Sequence, residues 1–141
     1  MKNKTILVAD NQDVRRRETG KILTDGSHTI IYAPHGRQAV NICRTAPPDI
    51  VLLCLDMPVM DGFTAGKKIR ELCPRLPIIL LTPMADFYRQ DDAIMSVFDD
   101  VLDLSAGQAH ILNRVNWYLK INDAAVRMKR IIKSHSASIN F

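Results

Sequence analysis

Short runs of Ile, Leu and Val recur along the chain: TILVA at 5–9, HTIIYA at 28–33, IVLLCL at 50–55 and PIILLT at 77–82. Three of the four are apolar without a break, the pattern of parallel strands buried on both faces. The segments between them change period. Val14, Ile22 and Leu23, then Ala39, Val40 and Cys43, then Ile69, Leu72 and Cys73 fall at helical spacing. A fourth segment, ADFYRQDDAIMSVF at 85–98, is more polar and predicts a more exposed helix. DDVLDL at 99–104 alternates, which predicts an edge strand. From Gln108 to Lys133 neither Gly nor Pro intervenes, and the spacing predicts one long helix. Five β/α units in about 120 residues predict an α/β fold, a doubly wound five-stranded parallel sheet with helices on both faces and an extended C-terminal helix. Ligands of such sheets sit beyond the C-terminal ends of the strands. Those ends carry Asp10, Asn11, Cys54 and Thr82.

Composition narrows the classes of function. A chain of 141 residues, 47% hydrophobic and 24% charged, fits one globular domain. It holds no window of about 18 apolar residues to cross a membrane, and its N-terminal apolar run meets Asp10 too soon for a signal peptide. Cys43, Cys54 and Cys73 are odd in number and show no CxxC spacing, which points to reduced thiols and a cytoplasmic location. The formal charge of +4 comes largely from the C-terminal end and does not by itself argue for nucleic acid. His28, His35, His110 and His135 lack metal-ligand spacing and read as structural or surface residues.

Five stretches in register carry a family resemblance over residues 4–120: ILVADNQDVRR, HGRQAV, LDMPVMDG, PIILLT and FDDVLDLS. The chain resembles the CheY-like (flavodoxin-like) receiver domain of two-component response regulators. The resemblance implies phosphoryl transfer to an aspartate, with magnesium held by an acidic pair and the acceptor, and with a lysine and a hydroxyl residue on the phosphoryl oxygens. Carried over by position, the acceptor is Cys54, the acidic pair Asp10 and Asn11, the hydroxyl Thr82 and the lysine Leu104. The aromatic of the coupling pair falls on Val101. Three of the five positions have lost a charge that the reaction needs. The resemblance is therefore to a degenerate, pseudo-receiver type that is not an enzyme, binds magnesium weakly or not at all, and has no other cofactor. Asp56, two residues past the acceptor position, reads as a solvated loop acid; it or Asp10 acting as a substitute acceptor is the alternative. Cys54 reads as small apolar filler with no cation near it, and a thiol sensor is the alternative there. Arg15, Arg16 and Arg17 read as a basic face of the first helix, either solvated or meeting a histidine kinase. Met57, Pro58, Met60 and Gly62 read as turn and core residues.

The last helix outruns the domain. Ile111, Leu112, Val115 and Leu119 form the sheet-facing stripe, while Tyr118, Ile121, Ala125, Met128 and Ile132 follow a 3-4-3-4 spacing, a short heptad-like seam. Residues 1–120 are expected to be the receiver, 121–133 a dimerising or linking extension, and 134–141 a flexible tail. The partners expected are signalling proteins such as a histidine kinase or an output domain, with a homodimer through the seam; a membrane is excluded and nucleic acid disfavoured.

Overall fold

The structure, a computed structural model, describes residues 3–24 and 27–139. Its strands are β1 (Thr5–Ala9), β2 (Thr29–Ala33), β3 (Ile50–Cys54), β4 (Ile78–Leu81) and β5 (Asp100–Leu102). All pairings are parallel, in the order β2-β1-β3-β4-β5. The helices are α1 (Asp13–Thr24), α2 (Gly36–Thr45), α3 (Gly62–Leu72), α4 (Ala85–Tyr88), α5 (Asp92–Val97) and α6 (Gln108–Ile139), with a 3-10 turn at Leu104–Ala106.

The uninterrupted apolar runs are the central strands, as side chains of period two must feed two cores. Leu7, Val51, Leu53, Ile78, Leu80 and Val101 face α2, α3 and α5, where they meet Val40, Ile69, Val97 and Phe98. Ile6, Val8, Ile50, Leu52, Cys54, Ile79 and Leu81 face the other way, onto Leu23 of α1 and Ile111, Val115 and Leu119 of α6. Cys54 therefore points to the α1 and α6 side of the sheet. β2 and β5 are the edges, as the alternating and shorter runs require.

Several expectations are corrected. The polar segment 85–98 is not one helix: Asp91 caps a second helix by accepting from the Ile94 N–H at 3.2 Å, so the chain breaks into α4 and α5. Val14 is 63% and Leu72 41% exposed, because they sit in the first turn of α1 and at the last residue of α3, beyond the sheet. β5 is three residues long and not six. The last helix passes Lys133 and runs to Ile139, where a tail was expected; Asn140 and Phe141 lie outside the described residues.

Candidate functional site

The C-terminal ends of β1, β3 and β4 open into a cleft of about 400 Å³. Cys54, Leu81 and Thr82 form its floor, Asn11, Gln12 and Arg15 one wall, and Asp56, Asp103, Leu104 and Ser105 the rim. The cleft thus gathers three of the four strand-end residues, Asn11, Cys54 and Thr82. Asp10 lies beneath, with no exposed surface. Asn11 and Asp56 are exposed, Leu104 is half-buried against the α1/α6 core, and Thr82 is buried with its hydroxyl accepting from the Met84 N–H at 3.1 Å.

A residue not expected in the cleft dominates its electrostatics. Arg15, in the first turn of α1, turns inward. Its Nε donates to Asp10 Oδ2 at 2.6 Å and its Nη2 to Asp10 Oδ1 at 2.8 Å, a two-point fork on one carboxylate. The same Nη2 lies 3.9 Å from Cys54 Sγ. This corrects the expectation that no cation stands near the thiol. It also corrects the basic face: Arg15 is spent inside the cleft, while Arg16 and Arg17 both pair with Asp13 at 2.7 Å. Arg16 Nη1 further donates to the Asp10 carbonyl at 2.8 Å.

Burial alone would push the Asp10 carboxyl up. Hydrogen bonds from Arg15, the Gln12 N–H at 2.9 Å and Cys54, with the Arg15 charge, outweigh it and hold the group below the usual carboxylate value. Arg15 is correspondingly held more firmly protonated by its bond to Asp10. For Cys54, burial and the neighbouring Asp10 charge outweigh the guanidinium, and the thiol is pushed up to about 12. A neutral thiol is neither a nucleophile nor a metal ligand.

The turn after β3 shapes the rim. Gly62 N–H donates to the Leu55 carbonyl at 2.7 Å, and a Cβ on Gly62 would come within 1.9 Å of the Cys54 carbonyl oxygen. Only glycine allows α3 to start there, capped by Asp61, which accepts from the Thr64 N–H at 2.7 Å. Val59 takes a left-handed φ of 69° while 66% exposed. Among the other expected residues, Val101 is fully buried on β5 opposite Leu80. His35 caps α2 by accepting from the Gln38 N–H at 3.2 Å, and buried His28 bonds Asn116 at 2.8 Å and the Lys4 N–H at 3.3 Å. His110 is exposed, and the His135 side chain lies outside what the structure describes.

Of the expected seam, Ile121, Ala125, Met128 and Ile132 are exposed on α6. Tyr118 does not belong with them. Its hydroxyl donates to Asp100 Oδ2 at 3.0 Å and lies 3.1 Å from the Asp99 carbonyl, which ties the ring to the domain beside Arg114. Trp117, 48% exposed, and Ile131, 59% exposed, are apolar positions that the seam missed. No described helix is long and apolar enough to cross a membrane.

The response regulator receiver domain family matches the chain over residues 6–116. Autoinducer 1 sensor kinase/phosphatase LuxN of Vibrio campbellii is 31% identical over 99 residues, 70% of this chain and 12% of that protein. Regulatory protein AtoC of Escherichia coli is 34% identical over 101 residues, 71% of this chain and 22% of that protein. The chain thus spans less than a quarter of the length of these two relatives. Among solved structures, the receiver domain of sensor histidine kinase PA1611 from Pseudomonas aeruginosa, with a magnesium ion coordinated in its active site cleft, superposes with a TM-score of 0.76. That match is 23% identical and covers 84% of this chain and 99% of the other. The five-stranded parallel sheet, the strand-end cleft and the family match agree, and the chain belongs to the response regulator receiver domain family of two-component signalling.

Proposed function

We propose that this chain is a pseudo-receiver, a signalling module that works through protein contacts without being phosphorylated and without catalysis of its own. The observation that carries the reading is the fork of Arg15 on Asp10. A receiver holds its magnesium on carboxylates at this place. Here Asp10, the one buried carboxylate among the described residues, spends both oxygens on a guanidinium that belongs to the chain. The remaining donors suit magnesium poorly, since it demands several hard oxygens in near-octahedral order. Asn11 offers an amide and Cys54 a soft, neutral thiol, and the rim acids Asp56 and Asp103 form no metal-holding cluster with them among the described residues. The residues present do not fit the ion.

The acceptor chemistry fails for a second reason. Cys54 is 5% exposed and neutral, and the position that should pair a new phosphoryl charge is the apolar Leu104. With Val101 in place of an aromatic, the coupling pair of the family is missing as well. Arg15 instead supplies a permanent internal counter-charge. The buried carboxylate is neutralised from the start, so the floor of the cleft rests in one state and does not switch between two.

The test is direct. Incubation of the full chain with acetyl phosphate and magnesium should add no phosphoryl mass, and its melting temperature should not move with magnesium at about 10 mM. Cys54→Asp alone should remain unlabelled, because Arg15 stands ready to pair with either aspartate. Stoichiometric labelling at Asp10, Cys54 or Asp56 would sink the reading in favour of a non-standard acceptor. A melting temperature that rises with magnesium and no longer does so in Asp10→Ala would sink it too.

The module's contacts are proposed to run through α6. Ile121, Met128, Ile131 and Ile132 leave apolar surface in water that a second copy of the helix would cover. A homodimer built this way fixes the relative placement of two domains. A histidine kinase or an output domain on a longer chain are the partner classes that the family suggests.

A further inference from the structure

The charge of this chain is concentrated on one element. Residues 120–133 carry Lys120, Arg127, Lys129, Arg130 and Lys133 against a single acid, Asp123, while the rest of the chain is balanced. The whole net charge of +4 is thus the charge of residues 120–133 on α6. Asp123 is already committed to Lys4 at 2.6 Å. Among the described residues none of the five cations has an ion-pair partner.

Two of them face a groove. Where α6 passes the loop between α3 and β4, a depression of about 520 Å³ opens at the end of the sheet opposite the cleft. Its floor is apolar, from Pro74, Leu76, Ala125 and Val126. Arg75 stands on the loop side and Lys129 and Arg130 on the helix side, and no carboxylate lines it. Three cations around one groove repel each other, with no carboxylate among the lining residues to offset them. Val126 is 42% exposed, so the floor is also wet apolar surface.

We propose that this groove docks an acidic amphipathic helix of a partner protein. An apolar face at i, i+3, i+4 and i+7 would cover Leu76, Pro74 and Val126, while flanking Glu or Asp side chains meet Arg75 on one rim and Lys129 and Arg130 on the other. A nucleic-acid backbone would satisfy the cations but leave the floor uncovered, since it has no apolar stripe to offer. The groove shares Ala125 with the self-association seam and leaves Ile121, Met128 and Ile132 outside it, so docking and the dimer meet along one edge of α6. It shares no residue with the cleft and does not depend on how the cleft is read.

The experiment uses the full chain and a fluorescein-labelled synthetic helix with Leu at those spacings and Glu elsewhere. Anisotropy should show binding on the order of 10 μM that weakens steeply with salt. Arg75→Glu, which leaves α6 untouched, and Lys129→Glu/Arg130→Glu should each weaken it about tenfold or more. Cys73, which lines the groove, should react more slowly with a maleimide when the peptide is bound. Circular dichroism melts confirm that the variants remain folded. Absence of binding by the wild-type chain, binding unchanged in both charge variants, or tighter binding of a DNA duplex than of the peptide would each overturn the proposal.

Discussion

Replacing Arg15 with alanine tests the electrostatics of the cleft more sharply than any other single change. It strips the fork from a carboxylate with no exposed surface, leaving only the Gln12 N–H and the Cys54 thiol as partners. Breaking a fully buried ion pair costs about 3–5 kcal/mol. Arg15's side chain is 34% exposed, so water already screens the guanidinium, and the loss is set at about 2–3 kcal/mol. For a domain of this size that is a fall in melting temperature of about 6–10 °C. The pH dependence gives the mechanism. In the native protein Asp10 is held below its unfolded value, so its contribution is present above the usual carboxylate range and is lost as pH falls through the lower, folded value. In Arg15→Ala burial is the largest influence left and holds the carboxyl up. The buried charge is then unfavourable near neutrality, and acidification relieves it by protonation. The gap between variant and wild type should therefore be widest near pH 7 and shrink towards pH 4, as measured by urea unfolding across that range. A double-mutant cycle with Asp10→Asn should return a coupling of about 2 kcal/mol. A penalty below about 0.5 kcal/mol, or one equal at both pH values, would refute the claim that Arg15 neutralises Asp10.

The thiols should separate by burial. At about pH 8 iodoacetamide should modify half-buried Cys73 first, while Cys43 and Cys54, both buried and both pushed up to about 12, should react only on unfolding. Cys54 reacting as fast as Cys73 would favour the sensor alternative. Val59→Asn should stabilise by about 0.5–1 kcal/mol, because a β-branched residue at φ 69° is strained and this one is mostly exposed; an unchanged urea midpoint would contradict that. In sedimentation at high micromolar concentration the full chain should be dimeric, and a version ending at Lys120 and Ile121→Glu/Met128→Glu should both be monomeric. Three monomers would remove α6 as a dimer element.

The sequence alone settles what depends on composition within a short window. Short uninterrupted apolar runs such as IVLLC, rich in β-branched residues and alternating with helical segments, fit strands covered on both faces, and so the sheet and its functional edge are legible in the order of the residues. The positions of Asn11, Cys54 and Thr82 at one cleft follow from that edge, with Asp10 beneath them, while Leu104 is placed there by the family resemblance alone. What the sequence leaves open is direction. Three consecutive arginines on a helix point about 100° apart, so only one can enter the cleft. Which one enters depends on α1 beginning at Asp13, and that placed Arg15 on Asp10 and left Arg16 and Arg17 on Asp13. Tyr118 fits a heptad as well as Ile121 does, yet its hydroxyl finds Asp100, a partner 18 residues earlier in the chain, which holds the ring on the domain. The α6 groove likewise exists only where the α3–β4 loop meets a helix about 50 residues later. Periodicity determines which side chains share a face; only packing across the chain decides what that face meets, because the partner of a charge or hydroxyl can lie far away in sequence, as Asp100 does for Tyr118.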